Sequence, residues 1–173
     1  FIAASAAVFV WMTPLCVADV FTFSTGNPDG LMATLSRTAS AGKLETETAD
    51  DFVTVLPTVI TGATFTGLLV GGATPANILL VEIELYHVFP GDSTNPPSGQ
   101  VPTRVNSPSD NNFAAADSGL GTLTFTTTTL NAAFTAANSV ANGIHPLPNQ
   151  FTGGEGAVTG QEVQINVIFT TPL

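Results

Sequence analysis

The 173-residue chain has 13 acidic residues against three basic ones, a net charge of −10, and only 9% charged residues in all. Nucleic-acid binders need clustered Lys and Arg to displace phosphate counterions, and Arg37, Lys43 and Arg104 are the entire supply. The same shortage disfavours binding to anionic lipid surfaces. An apolar fraction of 44% is typical of chains that bury a hydrophobic core and is higher than in disordered chains. We therefore expect a folded, acidic protein with no nucleic-acid partner.

The N-terminal residues 1–18 carry no charge and have the length of a signal-peptide core, which is short for a membrane span. The small residues Cys16 and Ala18 occupy the two positions that a signal peptidase reads, so cleavage is expected after Ala18. This interpretation makes 1–18 a signal peptide whose basic n-region is missing. It makes 19–173 a single secreted domain without a membrane span. If the apolar segment is retained, the alternative is a pilin-like filament subunit, although Pro14 interrupts its helix.

The region after residue 18 alternates between apolar and polar residues, as half-buried strands do. In 81–89, Val, Ile, Leu, His and Phe share one face, while Glu82, Glu84 and Tyr86 share the other. Residues 161–170 and 122–126 alternate in the same way. Weaker strands are expected at 20–24, 31–36, 44–48, 52–56 and 60–69.

Loops rich in Gly and Pro separate these strands, which predicts an all-β fold, an antiparallel β-sandwich or jelly roll. Residues 131–142 fit a helix and a strand about equally well. The last strong strand ends close to Leu173, so truncation of the domain at its C-terminus stays an open alternative.

Several short runs carry a family resemblance. They are Thr48-Ala-Asp-Asp-Phe52, Ile60-Thr-Gly-Ala-Thr-Phe65 with Gly67, Tyr86-His-Val-Phe-Pro90, Asp92-Ser-Thr-Asn-Pro-Pro97 and Gly153-Gly-Glu-Gly156. Together they resemble secreted bacterial β-sandwich proteins that often carry a C-terminal PEP-CTERM-type sorting signal. The sorting signal itself is absent from residues 1–173. The resemblance implies a secreted or cell-surface location in a Gram-negative bacterium, and it transfers no catalytic residue.

Two patterns are typical of hydrolases. Gly91-Asp92-Ser93 is similar to a serine-nucleophile turn, but the flanking residues of such a motif are missing and a plain turn is favoured. The pairs Glu82 with Glu84 and Glu45 with Glu47 offer the two carboxylates that glycosidases use. Because both pairs alternate with apolar residues or Thr, we expect a solvated outer face instead. The sequence assembles no catalytic constellation, so we expect a protein that is not an enzyme.

One metal site is a candidate. Asp110 and Asn112, with Asp117 nearby, offer the hard oxygen ligands that Ca²⁺ prefers. His87 and His145 have no clustered partners, and Cys16 leaves with the signal peptide. Calcium at Asp110, Asn112 and Asp117 is therefore the one cofactor that the sequence suggests.

These observations predict a non-catalytic secreted module with a structural or interaction role at the bacterial surface or in the extracellular matrix. Extracellular polysaccharides or surface proteins are the expected partners. The alternative is a carbohydrate-binding module that acts through loop residues such as Tyr86, Asn95 or Asn112. The further alternative is the filament subunit.

Overall fold

The computed structural model describes residues 21–43, 45–50, 52–86, 101–103, 112–141, 150–152 and 154–173. The strands in these residues are β1 Met32–Thr34, β2 Gly62–Val70, β3 Glu82–Tyr86, β4 Val101–Thr103, β5 Asn112–Asp117, β6 Leu123–Ala136, β7 Asn138–Val140, β8 Gln150–Thr152 and β9 Val158–Phe169. A 3-10 turn occupies Pro75–Asn77. They form one three-stranded sheet and three two-stranded sheets, all antiparallel except the β1–β7 pair. This confirms the all-β class, while the sandwich or jelly roll stays a prediction.

The three-stranded sheet has β9 at its centre, between β2 and β6. β2 pairs with β9 without a break, from Gly62 opposite Ile168 to Val70 opposite Gly160. β6 pairs along the other side of β9, with register shifts between Thr129 and Phe134. Gly160 has no room for a side chain, because a Cβ there would lie 2.3 Å from the carbonyl oxygen of Leu69. Its lack of a Cβ thus lets β2 approach this end of β9 closely.

The core lies on one face of this sheet. The buried side chains of Leu123, Val167 and Phe169 meet Ala116 of β5, and Ile83 of β3 packs against them. Val163 of β9 is also fully buried. The remaining apolar side chains packed on the cluster are those of Ile60, Val81, Phe125, Ile165 and Leu173. The strand predictions for 161–170, 122–126 and 60–69 are confirmed. For 81–89 they are confirmed over Glu82–Tyr86, since His87 and Phe89 lie outside the described residues.

The segment for which a helix and a strand were left open forms strands. β6 runs to Ala136 and β7 occupies Asn138–Val140. Thr135 pairs with Thr159 of β9, and the two hydroxyls lie 2.7 Å apart. The helical alternative for 131–142 is therefore wrong over the described residues, because β9 supplies backbone partners that an isolated segment lacks.

Two of the weaker strand predictions are wrong. Residues 21–24 and 52–56 are irregular, and 79% of Val53 and 91% of Val55 are exposed. No strand among the described residues pairs with either segment. Phe52 instead contacts the rings of Phe21 and Phe23, at centroid distances of 5.8 and 5.6 Å.

The other two weaker strands form in part. Residues 31–36 contribute β1, which pairs in parallel with β7. Residues 44–48 contribute only an isolated bridge between Arg37 and Thr46. The Thr48 hydroxyl lies 2.8 Å from that of Thr34, which ties this segment to β1.

A glycine-containing loop is tied to β7 by one side chain. Asn138 Oδ1 accepts hydrogen bonds from the backbone N–H groups of Gly154 and Gly156, at 3.0 and 3.2 Å. Glu155 Oε1 accepts another from the N–H of Ala141 at 2.8 Å. The Gly-Glu-Gly run noted in the sequence thus anchors the chain just before β9 begins.

The core assignment predicts a large cost for removing the side chain of Leu123, which is 1% exposed. We expect Leu123→Ala to lower the free energy of unfolding by about 2–5 kcal/mol, because it loses apolar burial and leaves a cavity. Urea denaturation followed by circular dichroism measures this. Leu79→Ala is the matched control, since Leu79 is 87% exposed and its change is expected to stay within about 0.5 kcal/mol. Equal losses in the two variants would contradict this core.

Candidate functional site

Five of the 13 acidic residues gather beside β3. Glu82 and Glu84 lie on β3, and Asp117 stands opposite Glu82 on β5. Glu45 and Glu47 come from the segment that the Arg37–Thr46 bridge holds in place. Electrostatic coupling connects Glu47 with Glu84 and Glu45, and Glu82 with Glu84, Asp117 and Glu45. We call these five residues the carboxylate cluster. It unites the two glutamate pairs that the sequence offered separately.

At the centre of the cluster, Tyr86 joins β3 to the 45–48 segment. Its hydroxyl donates to Glu84 Oε2 and lies 3.4 Å from Glu47 Oε2. Because this one hydroxyl contacts both carboxyl groups, Glu47 and Glu84 lie close to each other. Ionised carboxylates only accept hydrogen bonds, so the Tyr86 hydroxyl is the donor that joins the two glutamates.

The pKa of Glu47 rises from 4.5 to about 7, mainly through loss of hydration and then through the charge and hydrogen bond of Glu84. The charge of Glu45 raises this pKa further, and the hydrogen bond from Tyr86 lowers it. The pKa of Glu82 is raised too, by burial first and then by Glu84, Asp117 and Glu45. Glu45, Glu47 and Glu82 are exposed, as expected of a solvated face, whereas Glu84 and Tyr86 are half-buried because the 45–48 segment lies against them.

The carboxylate cluster holds the 45–48 segment against β3, and we call this arrangement of Glu47, Glu84 and Tyr86 the clamp. Glycosidase carboxyl groups stand about 5–5.5 or 6.5–9.5 Å apart so that a sugar or water fits between them. The Tyr86 hydroxyl contacts the carboxyl groups of both Glu47 and Glu84, so it occupies the position between them that a sugar or water would need. The described residues also contain a cleft of about 130 Å³, but none of the clustered residues lines it. The cleft is lined by Phe52, Thr54, Thr58, Ile60, Leu85, Phe113 and Leu173.

The two described residues of the calcium prediction, Asn112 and Asp117, do not lie close together. Asn112 begins β5 and Asp117 ends it, which separates them by about 17 Å of extended chain. The Asp117 carboxylate accepts a hydrogen bond from the N–H of Gly119 and so shapes the turn between β5 and β6. Within the described residues no three His, Cys, Asp or Glu side chains are placed to hold a metal ion. Asp110 lies outside those residues, so the calcium site stays a prediction.

Other candidates also fall outside the described part of the chain. They are Asp92, Ser93, Asn95, His87 and His145. The side chain of Asn112 is likewise not described, whereas Tyr86 is half-buried and hydrogen-bonded to Glu84. The Tyr86 ring is therefore poorly placed to act as an exposed platform for a sugar.

A second surface was missed by sequence reasoning. On the solvent side of the three-stranded sheet, one row crosses the strands through Thr64, Asn166 and Thr126, and the next row through Thr66, Gln164 and Thr128. We call these six residues, together with Thr124, the threonine face. The five Thr residues are exposed, and Asn166 and Gln164 are half-exposed. The alternation of Thr within single strands was visible in the sequence, but only the pairing register aligns it into rows.

The threonine face is regular, uncharged and partly pre-ordered. Neighbouring strands lie about 4.8 Å apart, and alternate residues along one strand about 6.7 Å apart. The Thr64 hydroxyl donates to Asn166 Oδ1 at 3.1 Å, and Asn166 Nδ2 donates to Gln164 Oε1 at 3.5 Å. The face can therefore offer donors and acceptors on a two-dimensional grid.

Comparisons with protein-family models, with curated proteins and with solved structures find no match for this chain. Among the described residues, no helix combines the length and the apolar character that crossing a membrane requires.

The Glu47 pKa predicts the pH dependence of stability. Folded protein keeps the Glu47 proton up to about pH 7, whereas the unfolded chain releases it near pH 4.5, so this group lowers stability as pH rises between those values. Glu47→Gln removes that contribution. We expect the unfolding free energy of the variant minus that of the wild type to increase from pH 4.5 to 7 and then level off.

Urea denaturation at four pH values across this window measures the difference. Thr171→Gln is the control, since it introduces Gln at an exposed position, removes no carboxylate and should track the wild type. Parallel curves for Glu47→Gln and the wild type would show that Glu47 is not held in the clamp.

Proposed function

We propose that this protein is a non-catalytic structural or interaction module of the bacterial surface or extracellular matrix. The observation that carries the proposal is the threonine face. Its seven residues are uncharged in a chain of net charge −10, and the acidic Glu162 of β9 borders them on the same side of the sheet. Its hydroxyl and amide groups suit a neutral partner rich in hydrogen-bonding groups, and repulsion from the acidic chain does not oppose such a partner.

The arrangement of the acidic residues supports a non-catalytic role. In the carboxylate cluster, Glu47, Glu84 and Tyr86 satisfy one another and tie the 45–48 segment to β3. Groups that hold two parts of a fold together in this way are not free to transfer protons to a substrate. The cluster is thus better suited to a structural role than to hydrolysis.

The location and the finer architecture are part of the proposal. The expected signal peptide at 1–18 and the resemblance to secreted PEP-CTERM-type proteins favour export to the surface of a Gram-negative bacterium. Packing of Ile83 and Ala116 onto Leu123, Val167 and Phe169 favours a sandwich-like arrangement of the β3–β5 sheet over the three-stranded sheet.

A carbohydrate-binding module is the second candidate function. It is favoured by the rows of the threonine face, whose donors and acceptors can meet the hydroxyl groups of a polysaccharide chain. The loop residues named from the sequence contribute less, because Tyr86 is engaged by Glu84 and Asn95 lies outside the described residues. A sugar ligand would therefore bind the sheet face, without an aromatic platform among these seven residues.

The test is depletion of the protein from solution by washed cells of the producing bacterium and by insoluble cellulose and chitin. Thr126→Glu combined with Thr128→Glu places two charges on the threonine face. We expect this double variant to bind at least about tenfold more weakly, a change of about 1.4 kcal/mol. The control is Thr54→Glu combined with Thr171→Glu, which adds the same charge at exposed positions elsewhere.

Each result separates the candidates. Binding to cells but to neither polymer supports the interaction module over the carbohydrate-binding module, and binding to a polymer supports the latter. Retention by none of the three materials contradicts the proposal, as does equal binding by the two double variants. Release of soluble sugar over time would contradict the non-catalytic role.

A further inference from the structure

The three-stranded sheet ends on one side at β2, Gly62–Val70. No strand among the described residues pairs with the outer edge of β2. Backbone N–H and C=O groups on such an edge form a template for another strand, and natural proteins protect exposed edges with Lys, Pro, bulges or short strands. β2 has none of these features: it is nine residues long, pairs with β9 without a register shift, and contains neither a charged residue nor Pro.

The chemistry of this edge differs from that of the rest of the chain. Residues 52–81 contain no Asp, Glu, Lys or Arg, although the protein carries a net charge of −10. Two copies approaching through their acidic surfaces repel each other, whereas two β2 edges meet without like charges. Phe65 and Val70 on β2 are also 44% and 46% exposed, so this outer strand carries solvent-exposed apolar surface.

The outer strand on the other side is less suited to pairing. β6 also lacks charged residues, but its register against β9 shifts between Thr129 and Asn131 and again before Phe134. The 3-10 turn Pro75–Asn77 also approaches β6. A regular backbone edge is therefore offered by β2 rather than by β6.

We propose that the outer edge of β2 pairs with β2 of a second copy of this chain, in an antiparallel two-fold dimer. The pairing joins two three-stranded sheets into one of six strands, in the order β6-β9-β2-β2-β9-β6. A two-fold axis perpendicular to the sheet keeps the same face of both copies on the same side. The two threonine faces then form one continuous surface. The dimer uses the strand edge, so it goes beyond the proposed binding function, which uses the face.

Hydrogen exchange of the full chain measures the protection of the β2 amides directly. We expect the amides of β2 to become more protected as the protein concentration rises, because pairing engages N–H groups that have no partner strand among the described residues. Sedimentation measured over the same concentrations should show a monomer–dimer equilibrium. Protection of β2 that does not change with concentration, or a monomer throughout, overturns the proposal.

A charge-swap pair tests the contact itself. Phe65→Lys brings like charges close together across the two-fold axis, and Phe65→Glu does the same with the opposite sign. We expect each variant alone to dimerise at least about tenfold more weakly, and an equimolar mixture of the two to regain dimers. Leu79→Lys, at a fully exposed loop position, is the control for the added charge and should dimerise like the wild type.

Thermal unfolding of each variant establishes that it is folded, and Thr66→Lys, at the exposed centre of β2, replaces Phe65→Lys where that variant is not. Dimerisation of Phe65→Lys equal to that of Leu79→Lys overturns the proposal, and so does a mixture that stays monomeric. The Thr126→Glu and Thr128→Glu variant leaves β2 unchanged. Its dimerisation therefore tests this inference apart from binding by the threonine face.

Discussion

The described fold depends on β9, the only strand in the described residues that has partners on both sides. Alternate residues of β9 are buried, among them Val163, Val167 and Phe169, and its backbone pairs with β2 and β6 at the same time. Neither outer strand contacts the other through backbone hydrogen bonds, so both need β9 for their position. Since β9 lies far along the chain from both partners, the sheet requires long-range pairing, which closes slowly in folding.

The two-residue period of this sheet produces both of its surfaces. In β9, Val163 and Val167 point to the core while Gln164 and Asn166 point away from it. β2 and β6 follow the same period in register, which turns scattered Thr residues into rows. The core face supplies stability, whereas the Thr residues of the opposite face are exposed. An exposed surface of this kind can serve binding.

The sequence predicted those elements in which local pattern and tertiary partner agree. Residues 161–170 alternate strongly and become the central strand, whereas 52–56 alternate weakly and stay irregular, since no described strand lies beside them. The glutamate pairs show the same limit. Each pair was readable as one strand face, but the contact between Glu47 and Glu84 depends on how two distant segments pack. Pairing partners, and with them the threonine face and the carboxylate cluster, are not encoded in local periodicity.

The distribution of charge connects the candidate surfaces. Between Asp51 and Glu82, and again between Asp117 and Glu155, the chain has no Asp, Glu, Lys or Arg. These two stretches contain β2 and β6, the outer strands of the sheet, while five carboxylates are collected beside β3. A net charge of −10 disfavours unspecific contact between copies, but its repulsion is weakest where the charges are absent. Apart from Glu162 on β9, the acidic residues therefore lie away from the face and edges of this sheet, where hydroxyl, amide and backbone groups decide what binds.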